Sequence, residues 1–223
     1  MNFKSPASRI DHTLLKADTR SSQVRHLCEE AVEYGFASVC IPPFYVPLAA
    51  DVLYGSEVAV GTVVGFPLGY ASSLVKAFEA QDAVRKGAAE IDMVIPVGAA
   101  LEGRRDEVLQ DIRQVVAAAE GARIKVILEC CYLEDALKGE LARLVVEAGA
   151  AYVKTSTGFG PGGATTADVA LLAEAVAGRV GVKAAGGIRD WETCHRMLAA
   201  GATRIGTSAG VTIVEQWRRQ RDL

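Results

Sequence analysis

Histidine is scarce in this chain: three in 223 residues, at positions 12, 26 and 195, with no H-E-x-x-H among them. The five cysteines (28, 40, 130, 131 and 194) are odd in number, include an adjacent pair and form no C-x-x-C. Neither a zinc site nor a disulfide framework follows, and no metal is expected. Lysines and arginines form no stripe, and the net charge is -3. A nucleic-acid partner, which needs a basic footprint, is therefore not expected. The one dense basic cluster, Arg218-Arg219-Gln220-Arg221, reads as the last turn of a helix, where cations complement the dipole. Long apolar runs are absent too. The stretch from Val58 to Leu68 is broken by glycines and a proline and is too short for a bilayer, so no membrane partner is expected. Met1 to Ile10 has no apolar core of a signal peptide. The expected location is the cytoplasm.

Half of the residues are hydrophobic, enough for a large buried core. Eight short β-rich runs alternate with helix-like segments: Arg9–Thr13, Ser38–Ile41, Val58–Gly65, Ile91–Val97, Ile124–Glu129, Tyr152–Ser156, Val182–Ala185 and Arg204–Thr207. Leu137, Leu141, Leu144, Val145 and Ala148 form one apolar helical stripe, and Val108, Ile112, Val115, Val116 and Ala119 another. Gly35, Gly87, Gly121, Gly149, Gly178 and Gly201 each close a helical stretch just before a strand. No polar linker divides the chain. The pattern predicts an α/β fold: one (β/α)8 TIM barrel over residues 1–223, with an open doubly wound sheet as the alternative. In such a barrel, chemistry lies at the C-terminal ends of strands and phosphate binds after strands seven and eight.

Lys125, Lys154 and Lys183 interrupt the apolar fifth, sixth and seventh strands. Either face of a barrel strand is buried, and a buried ammonium is costly unless paired or neutralised. Ion pairing with Asp92 and Glu129 is one account. The other is catalysis: a lysine attacks a carbonyl only when unprotonated, and a second ammonium nearby lowers its pKa. Lys154, entering Lys154-Thr155-Ser156-Thr157 at a strand end, is the candidate nucleophile, with Lys183 as its cationic neighbour. Asp92, a lone carboxylate in Ile91-Asp92-Met93-Val94-Ile95, suits proton relay. Gly186-Gly187 and Gly206-Thr207-Ser208-Ala209-Gly210 follow the last two strands and suit a phosphate approached by backbone amides. Gly158-Phe159-Gly160-Pro161-Gly162-Gly163 satisfies G-x-G-x-x-G. Pro161 removes a donor and the next strand ends Ala184-Ala185-Gly186, with no acidic residue for a ribose, so a nucleotide is not expected and the loop is read as flanking the substrate.

These segments resemble the deoxyribose-phosphate aldolase family over nearly the whole chain. The likeness includes Ile10-Asp11-His12-Thr13-Leu14-Leu15, Val39-Cys40-Ile41-Pro42-Pro43, Val64-Gly65-Phe66-Pro67-Leu68-Gly69 and Glu90-Ile91-Asp92-Met93-Val94. It continues through Lys125-Val126-Ile127-Leu128-Glu129, the Lys154 segment, Lys183-Ala184-Ala185-Gly186-Gly187-Ile188-Arg189 and Arg204-Ile205-Gly206-Thr207-Ser208. The resemblance implies a (β/α)8 barrel that reversibly cleaves 2-deoxy-D-ribose 5-phosphate to glyceraldehyde 3-phosphate and acetaldehyde, with no metal or organic cofactor. It implies Lys154 as Schiff-base nucleophile, Lys183 as the group lowering its pKa and Asp92 as proton-transfer group. Gly186, Gly187, Gly206 and Ser208 are expected at the phosphate, and Thr155 and Cys40 beside the substrate. A homo-oligomer, dimer or higher, is expected. Two departures bear on the site. Ala209 stands where a second serine is usual, and the sequence ends Gln220-Arg221-Asp222-Leu223 where some members carry a tyrosine. The competing readings are another Schiff-base aldolase or a transaldolase, a non-catalytic phosphosugar-binding barrel and a nicotinamide oxidoreductase.

Overall fold

A computed structural model describes residues 5–221. The last two residues of the predicted C-terminal segment, Asp222 and Leu223, lie outside them, as do residues 1–4 of the predicted domain. Eight parallel strands close on themselves in sequence order, which excludes the open sheet. They are β1 (Ile10–Thr13), β2 (Ser38–Ile41), β3 (Ala59–Val64), β4 (Glu90–Val94), β5 (Arg123–Ile127), β6 (Tyr152–Lys154), β7 (Gly181–Ala185) and β8 (Arg204–Thr207). The helices of the described residues are α1 (Ser21–Tyr34), α2 (Val46–Val52), α3 (Ser73–Arg85), α4 (Val97–Leu101), α5 (Arg105–Ala118), α6 (Asp135–Glu147), α7 (Thr166–Val176), α8 (Trp191–Ala199) and α9 (Gly210–Arg221).

β4, β5 and β6 end two or three residues before their expected ends, β6 at Lys154 and not Ser156. Apolar character continues past β4 through Ile95, but Pro96 caps α4, so Val97 is helical. The run after β5 ends because Glu129 takes a left-handed conformation, φ 57°, and starts a short 3-10 turn. Each of these two extensions keeps one more inter-strand backbone bond, from the Ile95 N–H to the Ile127 carbonyl at 3.1 Å and from the Leu128 N–H to the Lys154 carbonyl at 3.0 Å, before the chain turns away, and apolar periodicity does not mark that turn. The six helix-closing glycines all have positive φ, from 69° at Gly35 to 112° at Gly201.

Strand alternation divides the interior in two. Ile91 and Met93 of β4, Val126 of β5 and Val153 of β6 join the apolar layer between sheet and helices, together with Val108, Ile112 and Val115 of α5 and Leu141 and Val145 of α6. The alternate positions face the barrel axis. There Asp11 of β1 contacts Lys125 of β5, from the opposite side of the ring. Only side chains crossing the barrel interior can meet in this way. The interior is therefore a packed layer of charge where many barrels of this kind stack branched aliphatic residues.

A second buried ion pair lies outside the barrel. Lys76 of α3 donates to Asp111 of α5 at 2.8 Å and to the Val94 carbonyl at 2.9 Å, pinning two helices to the end of β4. Lys76→Met should destabilise the protein by about 3–5 kcal/mol, because Asp111 is left buried and unpaired. Adding Asp111→Leu should recover most of that loss. Denaturant titration of the single and double variants checks both values.

Candidate active site

Lys154 is the last residue of β6 and aligns with Lys183 of β7. Alternation turns both inward, and a single carboxylate oxygen receives both. Asp92 Oδ2 accepts from Lys154 Nζ and from Lys183 Nζ, each at 2.6 Å. The other oxygen, Oδ1, accepts from Lys125 Nζ at 3.1 Å. All four residues are buried. The three predicted lysines thus meet on Asp92, as one of the two accounts required. Glu129 does not join them. Its carboxylate accepts from the Thr157 amide at 3.1 Å and from the Thr157 hydroxyl, holding the loop after β6.

Three further charges complete the cluster, and the sequence reading missed them. Asp11 accepts from Lys183 and, at 2.6 Å, from Arg204 Nη1. Glu90 pairs with Lys125 and with Arg204 Nη1, the latter at 3.0 Å. One signal was available: Glu90 precedes Asp92 by two residues, and strand positions i and i+2 share a face. Arg204 begins a strand and carried no comparable mark.

Burial and pairing pull the four central groups apart. Burial disfavours the Lys154 ammonium and Lys183 adds repulsion, so its pKa lies below the usual lysine range despite the attraction of Asp92. The sequence reading credited the second ammonium; burial is the larger cause. Burial acts the same way on Lys183, but Asp11 and Asp92 outweigh it and hold that group above the usual range. Lys125 is raised too, by Asp11, Asp92 and Glu90 against burial. Burial alone would raise Asp92, yet Lys125, Lys154 and Lys183 hold it well below the usual carboxylate range. A charged lysine therefore sits beside one that loses its proton readily, with an ionised carboxylate between them.

A cleft of about 260 Å³ opens above this cluster, and Lys154 lies in its wall. Gly186, Gly187, Gly206 and Ser208 line it, with Gly158 and Phe159 of the glycine-rich loop. Lys16 and Arg189, which the sequence reading did not single out as ligands, bring two exposed cations to the same wall. Two expected substrate-side residues do not line the cleft. Thr155 is fully buried, and its hydroxyl exchanges hydrogen bonds with the Ala185 backbone at 3.2 Å, tying β6 to β7. Cys40 lies below, against the lysines and Asp92, with burial pushing its thiol up to about 11. Gly206 has a second role. A Cβ there would sit 3.0 Å from Lys183 Cε, so its absence makes room for that chain.

The glycines of the G-x-G-x-x-G loop serve packing. A Cβ on Gly163 would lie 2.4 Å from the Gly186 carbonyl oxygen, and one on Gly162 2.9 Å from Cys131 Cβ. The loop lies directly against the turn after β7 and shapes that side of the cleft. Gly163→Ala should displace Gly186 and weaken inorganic phosphate binding about tenfold, or ~1.4 kcal/mol. Calorimetric titration checks this, and unchanged affinity would separate the loop from the anion site.

Comparison with known proteins agrees with this architecture. The family model described as DeoC/LacD family aldolase matches residues 7–215. The deoxyribose-phosphate aldolase of Syntrophotalea carbinolica is 60% identical over 221 residues, covering 99% of this chain and 100% of the relative. That of a Geobacillus species is 56% identical over 210 residues, covering 94% of each chain. Among solved structures, the deoxyribose phosphate aldolase of Aeropyrum pernix, described as a tetramer, superposes with a TM-score of 0.90 at 36% identity. That match covers 96% of this chain and 91% of the other. The chain belongs to the DeoC/LacD aldolase family.

Proposed function

We propose that this chain is a Schiff-base aldolase that reversibly cleaves 2-deoxy-D-ribose 5-phosphate to D-glyceraldehyde 3-phosphate and acetaldehyde. The observation that carries the reading is the pair of lysines on one oxygen of Asp92, one of them opening into a cleft lined by glycines and cations. Family membership and the names of the relatives point to the same reaction.

The Lys154 amine adds to the substrate aldehyde, and loss of water gives an imine. Protonated, that imine is an electron sink. Asp92, directly or through water, takes the proton from the C3 hydroxyl. The C2–C3 bond breaks, its electrons enter the imine as an enamine, and glyceraldehyde 3-phosphate leaves. The enamine is protonated at carbon, and hydrolysis releases acetaldehyde and the free amine. Lys183 keeps its own proton and disfavours one on Lys154. Gly186, Gly187, Gly206 and Ser208 receive the phosphate, and Lys16 and Arg189 add charge at the rim. Ala209 leaves Ser208 as the hydroxyl donor in that turn. Cys40 and Thr155 support the site from below and from the side.

Residues 1–223 act as one domain. Among the described residues no helix is long and apolar enough to cross a membrane, and five cysteines are free, which suits the reducing cytoplasm where we place the enzyme. The enzyme also self-associates. Leu74 and Phe78 of α3 are 76% and 68% exposed, beside Val75 and the 81% exposed Tyr70. A monomer seldom leaves such a patch uncovered, and a two-fold axis through it would match the patch to itself. The tetrameric relative supports a second copy of the chain as the partner.

Borohydride reduction in the presence of 2-deoxyribose 5-phosphate should leave a two-carbon ethyl adduct on Lys154, read by peptide mass spectrometry. Lys154→Arg should remove the adduct and the activity together. Substrate binding without any adduct would favour a non-catalytic phosphosugar-binding barrel. For the assembly, Phe78→Glu should shift the sedimentation coefficient to that of a monomer. A native protein that is already monomeric at micromolar concentration would refute self-association.

A further inference from the structure

The charges inside the barrel do not cancel. Asp11, Glu90 and Asp92 face Lys125, Lys154, Lys183 and Arg204: three carboxylates against four cations. Two other titratable groups border the cluster. Cys40 of β2 stays a neutral thiol, and Tyr152 of β6 lies 3.4 Å from Arg204 through its hydroxyl. Arg123 touches Glu90 at 3.3 Å but is 63% exposed on its side chain, so water screens it. The buried cluster therefore carries one cation too many whenever all four are protonated. It is neutral when one of them gives up its proton.

Arg204 is not that group, since guanidinium keeps its proton in proteins. Lys125 is held by three carboxylates and Lys183 by two, whereas Lys154 is held by Asp92 alone. Lys154 also borders the cleft, where a released proton can leave. The surplus thus falls on the one lysine positioned to meet a substrate. Its origin is remote. Arg204 and Glu90 are the first residues of β8 and β4, at the N-terminal end of the barrel, and neither lines the cleft.

We infer that Arg204 and Glu90 are positioning residues that set the charge state of the Lys154 amine from the opposite end of the barrel. Arg204 neutralises Asp11 and Glu90, so those carboxylates are not free to stabilise an ammonium on Lys154. This rests on Lys154 being the reacting amine, but the measurement below reads the amine itself rather than turnover.

Removing one charge on the order of 10 Å away, at an effective dielectric of ~20, moves a pKa by about one unit. Arg204→Met leaves three cations and three carboxylates, so Lys154 should keep its proton to higher pH. Glu90→Gln leaves four against two and should do the reverse. The double variant leaves three against two, restoring the native surplus of one.

Competitive acetylation with acetic anhydride across pH, read lysine by lysine by mass spectrometry, gives the midpoint for Lys154 in each protein. The expected midpoints lie about one pH unit above native for Arg204→Met and about one below for Glu90→Gln. Near-native values are expected for the double variant and for Arg204→Lys, which keeps the charge. A merely structural role would move both single variants in the same direction, and that result, or unmoved midpoints, overturns the inference. Should Arg204→Met fail to fold, Glu90→Gln alone decides, because an unchanged or higher midpoint refutes it. Failure of imine trapping would overturn the Schiff-base reading while leaving these midpoints standing.

Discussion

The carboxylate of Asp92 is the constraint on which the site depends. It receives three ammonium groups, all of them buried in the barrel. Desolvating an ion costs several kcal/mol even after relaxation. A pair in contact recovers roughly 6 kcal/mol at an effective dielectric of 20, but three ammonium groups on one carboxylate also repel one another, so it cannot support them alone. Asp11 and Glu90 share the load, and Arg204 in turn satisfies them. With all four cations protonated the cluster carries one positive charge too many, and that imbalance falls on the least supported member. In this arrangement an unprotonated lysine follows from the arithmetic of the whole barrel interior. A single neighbour does not produce it.

How much of this was readable in the sequence varies by level. The eight strands, their order and the helix-closing glycines were legible because each leaves a periodic or compositional mark. The three lysines and Asp92 were legible for a related reason: a charge inside an apolar strand is conspicuous. Arg204 was not, because a cation at the first position of a strand reads as a solvent-facing end. Which carboxylate pairs with which lysine was also hidden. Glu129 lies near Lys125 in sequence, but its left-handed backbone turns it toward Thr157. Asp11 is far from Lys125 in sequence and meets it across the axis of a closed barrel. Pairing across the axis depends on closure and register, and no local pattern encodes either.

The glycine-rich loop shows the same limit from the other side. Its spacing matches a dinucleotide fingerprint, in which glycines let a pyrophosphate approach a helix N-terminus. Here the close approach is between two stretches of backbone, Gly163 against Gly186. Small residues mark places where something comes near, and the sequence does not say what. Gly206 repeats the lesson, since it borders the cleft on one side and the Lys183 side chain on the other. Substituting it would disturb phosphate contact and lysine placement together.

In barrels of this architecture the N-terminal face is usually assigned to stability and the C-terminal face to chemistry. The ion network here runs between the two. A buried ion pair can often be replaced by apolar residues with little loss, because the gain from pairing only repays desolvation. The Lys76–Asp111 pair between α3 and α5 is of that kind, as it contributes nothing to the charge around Lys154. The Arg204–Glu90 pair differs, although its geometry and burial are similar. Replacing either partner alone would change the charge that reaches Lys154 through Asp11 and Lys125, whereas exchanging both would keep the total. Polar residues at the closed end of the barrel are thus tied to the reacting amine through shared carboxylates, and the division between a stabilising face and a catalytic face does not hold for this interior.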